Sequence, residues 1–322
     1  MRNYCGIDLH SNNNVLVVIN ETDKILLERK LPNRLGAVLD ALSIIQEPID
    51  GIAVESTYNW YWLVDGLQEA GYQVHLVNTT AVKQYDGLKY SDDKYDAFHL
   101  AHLMRLGILP TGYIYPKEER AVRDLLRKRM QLVHQRTTHV LSIQNQLTRN
   151  TGRQFKSNEI KKLTPSLIKD RIKDENIQEA IFSNLSILLL LNSRIKILEK
   201  KVLKQVELKP EFQKLLKIPG IGIILSLTIM LETGNILRFA KVGNYSSYCR
   251  CVNSKRMSNN KQKGSGNRKS GNKYLSWAFM EAANFSIRFN PTAKKFYQKK
   301  LAKTKRVVAL KALSHKLARA CY

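Results

Sequence analysis

Apolar and polar positions alternate in short runs over the first 110 residues and recur at helical spacing after them. Tyr4–Leu9 and Val15–Asn20 predict two strands joined by the turn-favouring Ser11-Asn12-Asn13-Asn14, and Ile25–Lys30 extends the meander as a third. Leu35–Ile45 has helical spacing, Gly51–Glu55 predicts a short buried strand, and Trp60–Ala70 a helix that stops at Gly71. Gln73–Val77 predicts another strand, and Asp93–Leu106 a helix that ends at Gly107. A meander followed by alternating helix and strand implies a mixed sheet flanked by helices.

From Lys117 the pattern becomes long and basic. Val122, Leu125, Leu126, Leu132, Val133, Val140, Ile143 and Leu147 keep a period near 3.6 until Asn150-Thr151-Gly152 breaks it. A second long helix is predicted over Glu175–Val206, where Leu188, Leu191, Ile195, Leu198 and Val202 form a coiled-coil seam, suited to packing within a domain or between subunits. Ile218-Pro219-Gly220-Ile221-Gly222 then interrupts two helical stretches, as in helix-hairpin-helix modules whose backbone amides approach a phosphate. Residues 250–273 predict a polar, glycine-containing loop, and Lys294–Arg319 a basic helical tail.

Length and charge sharpen this outline. At 322 residues the chain is sized for about two domains, or two and a connector. Its 53 Lys and Arg against 27 Asp and Glu give a net charge of +26, distributed unevenly. Residues 1–110 hold 9 basic and 14 acidic side chains, and residues 111–322 hold 44 and 13, so the second part is suited to a polyanion. The longest apolar candidate, Ile218–Leu231, is interrupted by Gly220, Gly222, Ser226 and Thr228, which predicts no membrane span. The start lacks the apolar stretch of a signal peptide, and Cys5, Cys249, Cys251 and Cys321 suit a reducing cytoplasm.

Two groups of residues carry candidate chemistry. Asp8 lies on or at the end of the first strand, Glu55 ends a later one, and Asp93 and Asp96 share a face at the start of a helix. Carboxylates at buried strand ends need partners, and clustered ones repel unless a cation neutralises them. Mg²⁺, with two ions per site, would serve, clamping the attacking and leaving oxygens of a phosphodiester. Asp on strand one, Glu on a later strand and Asp-x-x-Asp on a helix is the order of RNase H-like and RuvC-like nucleases. The second group is the loop bearing Arg250, Lys255, Arg256, Lys261, Lys263, Arg268, Lys269 and Lys273, with no acid between Glu232 and Glu281. Such a loop is suited to tracking phosphates. Within it Ser258 is one of four serines, and a serine hydroxyl needs a base, a metal or dense positive charge to act as a nucleophile.

Taken in order, Tyr4-Cys5-Gly6-Ile7-Asp8-Leu9-His10, Val54-Glu55-Ser56-Thr57, Asp93-Lys94-Tyr95-Asp96-Ala97, Ile218-Pro219-Gly220-Ile221-Gly222 and the serine loop leading to Lys269-Ser270-Gly271-Asn272-Lys273-Tyr274-Leu275 resemble the DEDD-type insertion-sequence transposases of the IS one-ten family, including its IS one-eleven-eleven group. The resemblance implies a RuvC-like α/β catalytic domain (residues 1–115), a long-helix coiled-coil connector (116–208) and a basic, mainly helical carboxy-terminal transposase domain (209–322). It places the acidic catalytic, metal-binding positions on Asp8, Glu55, Asp93 and Asp96, and the nucleophile on Ser258. Asn259 follows where the family pattern has glycine, and Ser254 is the alternative nucleophile. The resemblance further implies target and donor DNA as substrates, a structured guide (bridge) RNA, a dimer or tetramer, and action in the cytoplasm at the nucleoid. A Holliday-junction resolvase, needing the carboxylates but not Ser258, and a non-catalytic nucleic-acid scaffold are the alternatives.

Overall fold

The computed structural model describes residues 2–82, 92–254, 256–266 and 270–322. They form two compact units, residues 1–117 and 118–322.

The first unit contains β1 (Asn3–Leu9), β2 (Asn13–Ile19), β3 (Ile25–Pro32), α1 (Leu35–Leu42), β4 (Ile49–Glu55), α2 (Tyr61–Glu69), β5 (Val74–Val77) and α3 (Asp93–Arg105). The sheet order is β3-β2-β1-β4-β5, with β2 antiparallel to both neighbours and β1, β4 and β5 parallel. This mixed sheet fits the RNase H-like core expected from the sequence. Side chains alternate across a strand, and here the alternation assigns each helix to a face. Cys5, Ile7 and Leu9 pack with Leu16, Val18, Ile52 and Val54 against Val38 and Leu42 of α1 and Leu63 and Leu67 of α2. The opposite face presents Val15, Val17 and Ile19 to Ala97 and Ala101 of α3, and Ala53 and Val77 to Leu100. From Val15 to Ile19 β2 is therefore apolar at every position, because both its faces are covered.

α3 lies unusually close to the sheet. A Cβ at Gly6 would stand 2.0 Å from the Ala97 carbonyl oxygen and 2.8 Å from the Ala101 nitrogen, so glycine on the strand and alanines on the helix are what permit contact. The far end of α3 is tied to the β2–β3 turn. Arg105 donates to both Asp23 oxygens at 2.6 and 2.5 Å, and His102 Nδ1 lies 2.9 Å from Asp23 Oδ1. At its near end the Asp92 carboxylate caps the helix by accepting from the Tyr95 amide at 2.8 Å, and Lys94 pairs with Glu28 of β3.

The second unit begins with α4 (Lys117–Thr151), α5 (Ser157–Ile160), α6 (Pro165–Arg171) and α7 (Glu175–Val206). Leu126 early in α4 packs with Val202 and Val206 late in α7, while Val140, Ile143 and Leu147 meet Ile181, Leu185 and Leu188, so the pair is antiparallel. By length and composition α7 could cross a membrane, contrary to the expectation of no such segment. Its seam (Leu188, Leu191, Ile195, Leu198 and Val202) is buried within the unit, while Ile187, Leu189, Leu190 and Ile197 are exposed. There follow α8 (Pro210–Leu216), α9 (Ile223–Thr233), α10 (Val242–Tyr248), β6 (Arg256–Ser258), β7 (Lys261–Gly264), α11 (Lys273–Phe289), α12 (Pro291–Leu301) and α13 (Arg306–Ala320). Glu232, only 2% exposed, ends α9 in a bidentate pair with Arg127 of α4 (2.6 and 2.7 Å) and accepts from Asn272 at 2.8 Å.

One expectation is corrected: the 250–273 loop contains a β-hairpin. The basic tail is helical as expected, in two helices. Thr304 turns the chain between α12 and α13, its hydroxyl donating to the Lys300 carbonyl at 2.8 Å. Leu310 and Leu313 then fold back onto Ala293 and Phe296.

Gly6→Ala is expected to lower the stability of the first unit by about 2 kcal/mol or more, as overpacking does. Gly36→Ala, in α1 where an added Cβ meets nothing within 4 Å, should be neutral or stabilising. Denaturant titration of the two variants checks the contrast.

Candidate active site

The strand register brings the acids together. Gly6 of β1 pairs with Ala53 of β4 and Ile7 with Val54, so Asp8 and Glu55 are the next pair along. Both belong to the face that α3 covers, in step with Gly6 and Ala53. Asp8 is buried and Glu55 half-buried. The close contact at Gly6 sets α3 so that its first turn, bearing Asp93 and Asp96, arrives at these strand ends. Asp93 and Asp96 are both partly exposed. The four positions singled out in the sequence thus converge on one end of the sheet.

Their mutual repulsion is visible in Glu55. Burial first, then a hydrogen bond and the charge of Asp8, then the charge of Asp96, push its carboxyl up to about 8. A carboxyl held protonated by burial and by neighbouring carboxylates is the state a cation relieves.

The structure adds a residue that sequence reasoning passed over. His10 lies two residues beyond Asp8, and its Nε2 is 3.2 Å from Asp8 Oδ2 and 3.3 Å from Asp93 Oδ2. Ligand atoms of Asp8, His10 and Asp93 all fall within 4.8 Å of one another. That Nε2 atom is buried, yet it forms no hydrogen bond of normal geometry among the described residues. Two carboxylate oxygens and an unsatisfied ring nitrogen gathered at one point are a donor set that fits a divalent cation. The signal in the sequence was Asp-x-His at a strand end, a spacing that returns a side chain to the same side of a strand.

The serine-bearing segment belongs to the second unit. β6 and β7 are joined by Asn259 and Asn260, with φ of +48° and +57°, the left-handed values of a type I′ hairpin turn. Asn259 therefore adopts the conformation that glycine would otherwise supply. Ser258, exposed, is the last strand residue before the turn and pairs across the hairpin with Lys261; such partners lie on the same face. Lys263, also exposed, is two residues further along the same strand. Ser254 lies at the hairpin base, its Oγ 3.1 Å from where a Gly266 Cβ would stand.

That base is closed. Arg250, with φ of +55°, donates to the Gly271 carbonyl through Nε at 3.0 Å and Nη2 at 2.7 Å, and the Asn272 amide donates to the Tyr248 carbonyl at 2.6 Å. Asn272 also caps α11, and Lys273 Nζ sits 5.2 Å from the Tyr274 ring centre. Lys255, Arg268 and Lys269 lie outside the described residues, as does the side chain of Arg256. In the α8–α9 hairpin, Gly220 faces inward with φ of +97°, and a Cβ there would stand 2.3 Å from Ser286 Oγ. Gly222, at the N-cap of α9, is open, an added Cβ meeting nothing within 4 Å.

Comparison with known families decides the class. The profile of the DEDD transposases of the IS110 type matches residues 5–150, spanning all four acids. The profile of the transposase IS116/IS110/IS902 family matches residues 212–298, spanning the α8–α9 hairpin and Ser258. The chain belongs to this transposase family. It is accordingly an enzyme of DNA transposition and recombination, acting on DNA, with a core of the type that uses divalent metal ions. No curated protein matches the chain.

The raised Glu55 carboxyl makes a prediction for the metal-free transposase. A group whose value is higher folded than unfolded contributes stability that is complete below its unfolded value, 4.5, and is lost as pH rises through about 8. Melting in the presence of EDTA should therefore show stability falling between pH 5 and pH 9, and Glu55→Gln should flatten that slope.

Proposed function

We propose that this transposase excises and inserts its own mobile element by combining the carboxylate centre of the first unit with Ser258 of the second. The observation that carries this reading is the convergence of Asp8, Glu55, Asp93 and Asp96 on one end of the sheet. Those four residues would hold Mg²⁺, or a similar divalent ion, in two positions. Bound there, the metal supplies positive charge against the scissile phosphate.

The remaining chemistry belongs to the protein. Ser258 Oγ attacks the phosphorus, a new Oγ–P bond forms, and the bond to one deoxyribose oxygen breaks. That oxygen leaves as a hydroxyl, taking up the proton that the serine gives up. A hydroxyl of a second strand then attacks the phosphoserine, restores the phosphodiester and returns the proton to Oγ, so no external energy source enters. Lys261, across the hairpin from Ser258, favours the serine alkoxide and the charge developing on phosphorus. The exposed position of Ser258 beside the tight Asn259-Asn260 turn supports this role, since the tip can approach a DNA backbone without moving the unit's core.

The basic residues of the second part, including Arg250, Lys255, Arg256, Lys261, Lys263, Arg268, Lys269 and Lys273, would hold target DNA, donor DNA and a structured guide RNA mainly by their phosphates. Pairing by the guide would supply most sequence choice. Exposed Ile187, Leu190 and Ile197 on the outer side of α7, spaced by 3 and 7, support a dimer or tetramer in which one subunit's acids work with another's serine. The α4–α7 pair would then act as a coiled-coil connector between a catalytic domain at residues 1–115 and a transposase domain at 209–322. Such a complex acts on cytoplasmic, nucleoid-bound DNA.

Covalent trapping tests the mechanism. Protein purified with its RNA, incubated with Mg²⁺ and labelled target and donor duplexes and then denatured, should give a protein-linked DNA band. Ser258→Ala and Asp8→Asn should each reduce the band at least a thousandfold, roughly as loss of a nucleophile or a charge-stabilising centre does, and Ser254→Ala should leave it intact. Cleaved DNA with no linked protein would instead favour a hydrolytic nuclease.

Each of Lys261→Ala and Lys263→Ala is expected to reduce the slope of log affinity against log salt by about one. Filter binding across a salt series measures this.

A further inference from the structure

We propose that His10 is a nitrogen ligand of the divalent cation held by the carboxylates, and that the site consequently takes Mn²⁺ in preference to Mg²⁺. The inference rests on the metal reading above and specifies its donor set.

The spacing of the atoms is the first argument. A protonated imidazole serving as counter-ion to two carboxylates would form charge-assisted hydrogen bonds of roughly 2.7–2.9 Å. Here Nε2 stands 3.2 Å from Asp8 Oδ2 and 3.3 Å from Asp93 Oδ2, without hydrogen-bond geometry to either. Neighbouring ligand atoms around an octahedral ion with bonds near 2.1 Å are separated by about 3 Å. The observed separations lie within ion-pairing distance, lack hydrogen-bond geometry, and are near the length of that edge.

The way His10 is held is the second argument. Its carbonyl accepts from Asn33 Nδ2 at 3.0 Å and from Asn59 Nδ2 at 3.0 Å, and its amide donates to the Asn13 carbonyl at 2.9 Å. Asn59 is itself fixed by Thr57, whose hydroxyl donates to Asn59 Oδ1 at 2.8 Å. Three separate segments thus immobilise the backbone of one residue just beyond the end of β1. Holding the backbone in this way fixes where the ring starts and so restricts the positions that Nε2 can take.

Donor chemistry then selects the ion. Mg²⁺ takes oxygen donors and gives up its water reluctantly; Mn²⁺ shares its taste for carboxylates but, as the first member of the divalent transition series, tolerates a nitrogen donor better. Adding one imidazole to a carboxylate set therefore favours Mn²⁺.

Electron spin-echo measurements on the full-length protein with bound Mn²⁺ test the assignment. Directly coordinated imidazole should give ¹⁴N modulation, and labelling histidine with ¹⁵N should replace it with the ¹⁵N pattern without altering the protein. His10→Ala should abolish the modulation, weaken Mn²⁺ by about tenfold or more, and change Mg²⁺ affinity less. Mn²⁺ that binds and is lost in Asp8→Asn, yet shows no nitrogen coupling, would overturn the role of His10 while leaving the carboxylate centre standing. Mn²⁺ binding indifferent to Asp8→Asn would overturn both.

Discussion

The approach of α3 to β1 at Gly6 is the constraint on which the first unit depends. Helix and strand backbones can come this close only because the strand has no Cβ there and the helix offers Ala97 and Ala101. The contact has two effects. It closes the second face of the sheet, which makes β2 apolar on both sides, and it fixes where the first turn of α3 ends up. Asp93 and Asp96 reach Asp8 and Glu55 as a consequence of packing rather than of mutual attraction, since four acids brought together repel. The raised Glu55 carboxyl is the electrostatic record of that packing.

The Asp23–Arg105–His102 cluster complements this contact from the other end of the helix. Asp23 occupies a left-handed turn position with φ of +63°. With α3 held at its middle by Gly6 and at its end by Asp23, it has little freedom to slide along the sheet, and the two acids at its start inherit that rigidity. Preorganisation of this kind is what a charge-stabilising site requires.

Much of this was legible in the residues. Strands over Tyr4–Leu9 and Ile25–Lys30 correspond to β1 and β3, and the helix predicted over Glu175–Val206 is α7, because in each case the period of burial is written in the side chains. The acids stood out for a related reason: a carboxylate at a buried strand end contradicts its surroundings. The remainder was hidden by physics that pattern does not carry. β6 and β7 are polar on both faces, so no alternation announces them, and only Asn259-Asn260 marks the turn. The break between α12 and α13 has neither proline nor glycine and is made by Leu310 and Leu313 folding back on α12. His10 is marked in sequence only by Asp8 two residues before it; its importance comes equally from Asp93, which is remote in the chain and near in space.

The closed base of the β6–β7 hairpin has a consequence for how this protein can change over time. Arg250, Gly271 and Asn272 join the two ends through contacts to main-chain carbonyls, and the Glu232–Arg127 pair anchors Asn272 beneath them. The residues beyond that junction contribute little to the folding of the unit. Substitutions at the tip are thus decoupled from the packing of the unit, and lineages of this element can vary it without first acquiring compensating changes in the core.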